Sequence, residues 1–121
     1  MKRNYVPRRG DVIRLDFNPQ AGHEQAGRRP ALVLSPDEYN RKVGLVVVCP
    51  ITSQAKDYPW EVLIADDPNV HGVVLADQIK NLDWRQRRAE FICSADSDLL
   101  DEVIEKAFAL LSPDDDEPAS L

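Results

Sequence analysis

The residues best suited to chemistry lie in a short polar stretch, Glu24-Gln25-Ala26-Gly27-Arg28-Arg29-Pro30. A guanidinium stays charged at any working pH and can hold a phosphate through two parallel hydrogen bonds. The Glu24 carboxylate could steady such a guanidinium or take a proton, although an ordinary carboxylate is a weak base unless burial raises its pKa. Pro30 fixes its own φ and biases Arg29 away from helix, which helps to aim the Arg29 side chain. Taken alone, the stretch is more simply a surface Glu and Arg in a weak exposed ion pair. Its neighbours have to tip the balance.

A second polar cluster, Thr52-Ser53-Gln54, follows Pro50-Ile51 at the end of an apolar run, where a rigid strand meets a loop. By itself a Thr-Ser pair is turn chemistry. Asp77-Gln78-Ile79-Lys80 comes after another apolar run and adds an amide and an ammonium. Trp84 beside Arg85 sets a flat ring next to a charge, a combination that stacks unpaired bases, and Trp84 fits core packing equally well. Histidine is a residue type that can move protons, but His23 reads as an exposed loop histidine, and His71 sits in a turn rich in Pro, Asn and Gly. Cys49 and Cys93 lie in apolar stretches without CxxC spacing, and the two histidines are their only candidate co-ligands. Two buried free thiols are expected, with no metal site, no cofactor and no disulfide framework.

These residues need a scaffold, and the periodicity supplies one. Asp11 to Phe17 alternates, with Ile13, Leu15 and Phe17 on one face, the pattern of a half-buried strand. Asn18 to Arg29, with Pro19, Gly22 and Gly27, reads as a long loop leading to a strand at Ala31-Leu32-Val33-Leu34. Ser35 followed by Pro36-Asp37-Glu38-Tyr39-Asn40 predicts one to two helical turns, with Ser35 as cap and Pro36 at the first position. Leu45 to Cys49 is apolar throughout, as a strand covered on both faces would be. Glu61 to Ala65, Gly72 to Ala76 and Ala89 to Cys93 are further strands. From Asp98, apolar residues recur every three or four positions through Leu111, an amphipathic helix that Pro113 stops. Asp114-Asp115-Asp116-Glu117-Pro118 carries too much like charge to pack, so residues 1–112 are expected to form one domain and 113–121 a disordered acidic tail.

The 121 residues suffice for a single core. Apolar residues make up 43% and charged residues 30%, the ordinary range of soluble globular proteins, and no apolar run approaches membrane-spanning length. Charged residues at Arg8, Arg9 and Asp11 stand where a signal peptide would need its apolar stretch, so a cytoplasmic location is expected. The net charge of −6 argues against a polyanionic partner until its distribution is considered. Residues 1–95 hold 14 Lys and Arg against 12 acids, and residues 96–121 hold one Lys against nine. The acidity belongs to the C-terminal fifth, which leaves the rest free to form a local anion-binding face.

Several short motifs occur in order: Gly10-Asp11-Val12, Asp16-Phe17-Asn18-Pro19, Glu24-Gln25-Ala26-Gly27 with Arg29-Pro30, Ala31 to Pro36, Pro50-Ile51-Thr52-Ser53, Tyr58-Pro59, and Leu75 to Lys80 with Trp84-Arg85. Together, from about Tyr5 to Arg85, they resemble the MazF/PemK family of toxin endoribonucleases. The resemblance implies a mainly β, SH3-like bent antiparallel barrel of the CcdB/PemK-like kind with short helices and a C-terminal α-helix, assembled as a homodimer. It implies sequence-specific, metal-independent cleavage of single-stranded RNA to 2′,3′-cyclic phosphate and 5′-hydroxyl ends. A cognate, MazE-like antitoxin would restrain it, with an acidic tail in the RNA groove. By the same resemblance Arg29 and Thr52 are the central catalytic residues, supported by Glu24. Gln25, Arg28, Ser53, Gln54, Lys56, Gln78, Lys80, Trp84 and Arg85 are the expected RNA-binding residues. Two rival readings stand beside it: a CcdB-like toxin that poisons gyrase and cuts no RNA, and an inactive SH3-like binding module. The overall acidity fits a protein target better, and the pairing of Arg29 with Thr52 fits a nuclease better.

Overall fold

The computed structural model describes residues 4–18, 22, 23, 25–65 and 67–113. The described elements run β1 (Asp11–Asp16), β2 (Arg28–Val33), α1 (Asp37–Val43), β3 (Leu45–Thr52), β4 (Glu61–Leu63), β5 (Val73–Leu75), β6 (Lys80–Asp83), β7 (Glu90–Ser94) and α2 (Ser97–Leu111). The strands pair antiparallel in the order β4-β5-β3-β2-β1-β7, and β6 joins β3 off that path. β3 is the shared strand. Its first half, Leu45 to Val48, pairs with β6, and its end, Ile51 and Thr52, pairs with β5, while β2 runs along it at Ala31 to Val33. Such a mainly β, antiparallel architecture closed by a C-terminal helix is what the sequence predicts.

Strand alternation sorts the apolar residues into two cores. One contains Val12, Leu32, Cys49, Ile51, Val62 and Val74, and α2 covers it with Val103. The other contains Ile13, Leu15, Phe17, Ala31, Val33, Val46, Val48 and Trp84. α2 begins at an Asp96 cap whose carboxylate accepts from the Asp98 N–H, and it ends at Ser112, just ahead of Pro113.

Several expectations shift. β2 starts at Arg28, before its apolar run, because β1 is long enough to pair Leu15 with Arg29 and Asp16 with Arg28. β3 continues to Thr52 because β5 extends the ladder. β6 has a single inward apolar residue, Leu82, which packs on the second core, so no periodicity announces it. Pro36, not Ser35, takes the helix-cap position of α1, without a side-chain cap bond. Ser35 instead donates to Asn40 Oδ1 at 2.6 Å and accepts from the Val47 N–H at 2.8 Å, tying α1 to β3. Cys49 is buried as expected, but Cys93 is only half-buried because β7 is an edge strand. The acidic run from Asp114 lies outside the described residues, as does Glu24. No described helix is long and apolar enough to cross a membrane.

Candidate functional site

Alternation along β2 turns its two arginines to opposite faces. Arg29 stands opposite Leu15, on the side of the Trp84 core. Its Nε donates to the Ala26 carbonyl at 2.8 Å, and its two Nη groups have no partner among the described residues. A guanidinium anchored by its inner nitrogen presents the outer two as a fork, the geometry that grips a phosphate. Arg28 is spent otherwise. It donates to the carbonyls of Arg87 at 3.3 Å and Arg88 at 2.7 Å, and it pairs with Glu90 at 3.3 Å and Asp16 at 3.6 Å. Of the two, Arg28 is the one the structure places in a tie between β2, β7 and the end of β1.

The β2–β3 register pairs Val33 with Val48, Leu32 with Cys49 and Ala31 with Pro50. Beyond that ladder, strand alternation puts Arg29 of β2 and Thr52 of β3 on the same face, near the adjoining ends of their strands. Thr52 is only 8% exposed. Its Oγ1 accepts from the Gln54 N–H at 3.2 Å, which leaves its own O–H to donate outward. A guanidinium fork and a hydroxyl donor therefore stand on neighbouring strand ends.

The loop before β2 reaches the other side of the site. The Gln25 N–H donates to Gln78 Oε1 at 3.2 Å, linking that loop to the segment between β5 and β6. Lys80 opens β6 opposite Val48. Ser53, Gln54 and Lys56 are exposed on the β3–β4 connection, where the Glu61 carboxylate accepts the amide N–H groups of Lys56 and Asp57. The structure thus brings Gln25, Arg29, Thr52, Gln78 and Lys80 to one end of the sheet and sets Ser53, Gln54 and Lys56 on the adjoining loop.

Trp84 does not join them. It is 5% exposed, its indole N–H donates to the Asn40 carbonyl at 2.8 Å, and the Arg85 guanidinium lies 4.4 Å from the ring centroid. With its rim in the core and a cation over its face, Trp84 packs the barrel and offers no open surface for stacking a base. This corrects the stacking expectation, and Arg85 remains exposed beside it. His23 and His71 are exposed, as expected of bystanders.

Sequence reasoning passed over a link between two site segments. The Tyr58 hydroxyl donates to Asp77 Oδ2 and so ties the β3–β4 loop to the turn that carries Gln78. That hydrogen bond raises the Tyr58 phenol above its usual range. Asp77 Oδ1 is buried and has no hydrogen-bond partner among the described residues. Cys49 lies nearby, its thiol pushed up to about 12 by burial and by the Asp77 charge. The Tyr58-Pro59 and Asp77-Gln78 motifs were the available signals, but nothing in their spacing shows that they meet.

Comparison with known proteins bears on the family and the fold. The crystal structure of MazF from Deinococcus radiodurans superposes with a TM-score of 0.86 at 56% identity, over 89% of this chain and 98% of that one. The same organism's MazE–MazF complex aligns with a TM-score of 0.81 at 56% identity, over 89% and 97%. The endoribonuclease toxin MazF of Escherichia coli K12 is 51% identical over 89 residues, 74% of this chain and 79% of the relative. EndoA of Bacillus subtilis 168 is 33% identical over 105 residues, 83% and 90%. The family profile described as PemK-like, MazF-like toxin of type II toxin-antitoxin system matches residues 8–111, and this chain belongs to that family.

Proposed function

We propose that this chain is the endoribonuclease toxin of a type II toxin–antitoxin pair, cutting single-stranded RNA without a metal ion. The observation that carries the reading is the Arg29 fork, held by its Nε near the start of β2, with the Thr52 hydroxyl at the adjoining end of β3. In the proposed reaction the RNA's own 2′-oxygen attacks the adjacent phosphorus and the bond from phosphorus to O5′ breaks. A 2′,3′-cyclic phosphate and a 5′-hydroxyl result, with one proton leaving the 2′-oxygen and one reaching O5′. Arg29 holds the phosphate oxygens as negative charge grows on them, and Thr52 adds a hydroxyl donor. Glu24 completes the set, as an anchor for Arg29 or as acceptor of the 2′ proton. Gln25, Ser53, Gln54, Lys56, Gln78 and Lys80 line the RNA path.

The proposed partner is a cognate MazE-like antitoxin, as in the Deinococcus complex, and the proposed assembly is a cytoplasmic homodimer. The test is incubation of the purified protein with a long single-stranded RNA in EDTA. Cleavage to cyclic-phosphate ends, abolished by Arg29→Ala, is the expected result. Intact RNA overturns the reading and is what a toxin directed at a protein target would give.

A further inference from the structure

The connection from β3 to β4 is exposed from Ser53 to Pro59, so little buried surface holds it in shape. Hydrogen bonds hold it instead. At its start the Gln54 N–H donates to Thr52 Oγ1 at 3.2 Å. At its end Glu61 folds the chain back on itself. The Glu61 carboxylate accepts from the Lys56 N–H at 2.9 Å through Oε2 and from the Asp57 N–H at 3.0 Å through Oε1, and the Glu61 N–H donates to the Tyr58 carbonyl at 3.0 Å. Asp57 has φ +62, in the left-handed region, where a residue with a side chain persists only if its surroundings hold it.

Glu61 can serve as that tie because it is itself fixed. It opens β4 and pairs with Leu75 of β5, and Lys106 of α2 fastens the segment just before it by donating to the Pro59 carbonyl at 2.9 Å. A free acid beside an RNA path would repel what the path has to attract. This one is turned into the loop, where two N–H groups meet its charge in charge-assisted hydrogen bonds. The Lys56 side chain leaves from the residue whose N–H is held, exposed and with no partner for its ammonium among the described residues.

We propose that Glu61 is a positioning residue for RNA binding: by holding the Lys56 and Asp57 N–H groups, its carboxylate sets the loop so that the Lys56 ammonium meets an RNA phosphate. The inference rests on the endoribonuclease reading and assigns the shape of one wall of the RNA path to a side chain that touches no RNA.

The test is kcat and KM for a single-stranded RNA in EDTA, and the salt dependence of RNA affinity. Both are measured for the wild type, Glu61→Asp, Glu61→Gln, Lys56→Ala and the double variant of Glu61→Asp with Lys56→Ala. Denaturant midpoints check that each is folded. Aspartate keeps the charge but is one carbon too short to reach both N–H groups, and glutamine keeps the reach and an acceptor oxygen without the charge. Glu61→Asp is expected to raise KM about fivefold with kcat little changed, and to lower the slope of log affinity against log salt by about 1. Glu61→Gln is expected to stay within about twofold of the wild type. Lys56→Ala should show the same loss as Glu61→Asp, and the double variant no further loss, as for two residues acting through one contact.

An acid that acted only through its charge would give the opposite pattern, wild-type behaviour for Glu61→Asp and tighter RNA binding for Glu61→Gln, and that result overturns the proposal. Additive losses in the double variant overturn it too, and so does Lys56→Ala without effect on KM or slope. If the wild type leaves the RNA intact, the endoribonuclease reading itself has failed; if it cuts and Glu61→Asp matches it, only the role of Glu61 has.

Discussion

Gly72 lies so close against the backbone of Thr52 that a Cβ on Gly72 would stand 2.1 Å from the Thr52 carbonyl oxygen and 2.8 Å from the Thr52 carbonyl carbon and Ser53 Cα. Gly72 also has φ +112, which side chains rarely adopt. The proposed catalytic hydroxyl is thus seated on a position where only hydrogen fits. Gly72→Ala should lower stability by about 2 kcal/mol or more, from strain and forced movement of the neighbouring backbone. Denaturant midpoints measure the first effect. Cleavage by the folded protein should also fall, because relief of the clash has to shift the Thr52 backbone relative to Arg29. A neutral substitution would remove Gly72 from the support of the site.

Thr52 offers a cleaner separation of chemistry from packing. Thr52→Val keeps the shape but deletes the hydroxyl, and it leaves the Gln54 N–H without its 3.2 Å acceptor. Loss of one donor to the developing charge should reduce kcat by on the order of a hundredfold. Thr52→Ser restores the hydroxyl and should recover most of that rate. Equal activity of the Val and Ser variants would remove the hydroxyl from the reaction.

Arg28 and Arg29 should respond in opposite ways to truncation. Arg28→Ala breaks hydrogen bonds to two carbonyls and pairs with Asp16 and Glu90, and should cost roughly 1–2 kcal/mol of stability. It should leave the salt dependence of RNA binding unchanged. Arg29→Ala should cost less stability and reduce the slope of log affinity against log salt by about 1, the mark of one lost phosphate contact. Reversed results would exchange the two roles.

The Cys49 thiol gives a pH prediction. Burial pushes its pKa from 9.0 up to about 12, so the folded state holds this proton more tightly than the unfolded state does. Its contribution to stability is complete below about pH 9 and is lost as pH rises toward about 12. Urea denaturation across this range should show falling stability, with a shallower decline in Cys49→Ala. At neutral pH a thiol reagent should modify the half-buried Cys93 well before Cys49. Equal labelling of both in the folded protein would contradict the burial that sets the shift.

The parts of the fold that speak through repetition were legible in advance. Ile13, Leu15 and Phe17 announce β1, Leu45 to Cys49 announces the heart of β3, and the spacing from Leu99 to Leu111 announces α2. β6 was silent because Leu82 alone points inward, and one residue has no period. The start of β2 was hidden because Arg28 and Arg29 owe their strand to pairing with Asp16 and Leu15, a tertiary effect rather than a property of their own sequence. Arg29 and Thr52 were found as residue types at strand ends. Their placement on one face, the engagement of Arg28 and the burial of Trp84 depend on which face each strand turns inward, which residue types alone do not record.

β3 gives its edge first to β6 and then to β5, so the crossover that carries Gln78 is a short bridge between two neighbours of a single strand. Such a bridge can drift in sequence while the ladders on either side keep their registers. Substitutions in that bridge would change the polar surface beside β3 without unpairing either ladder.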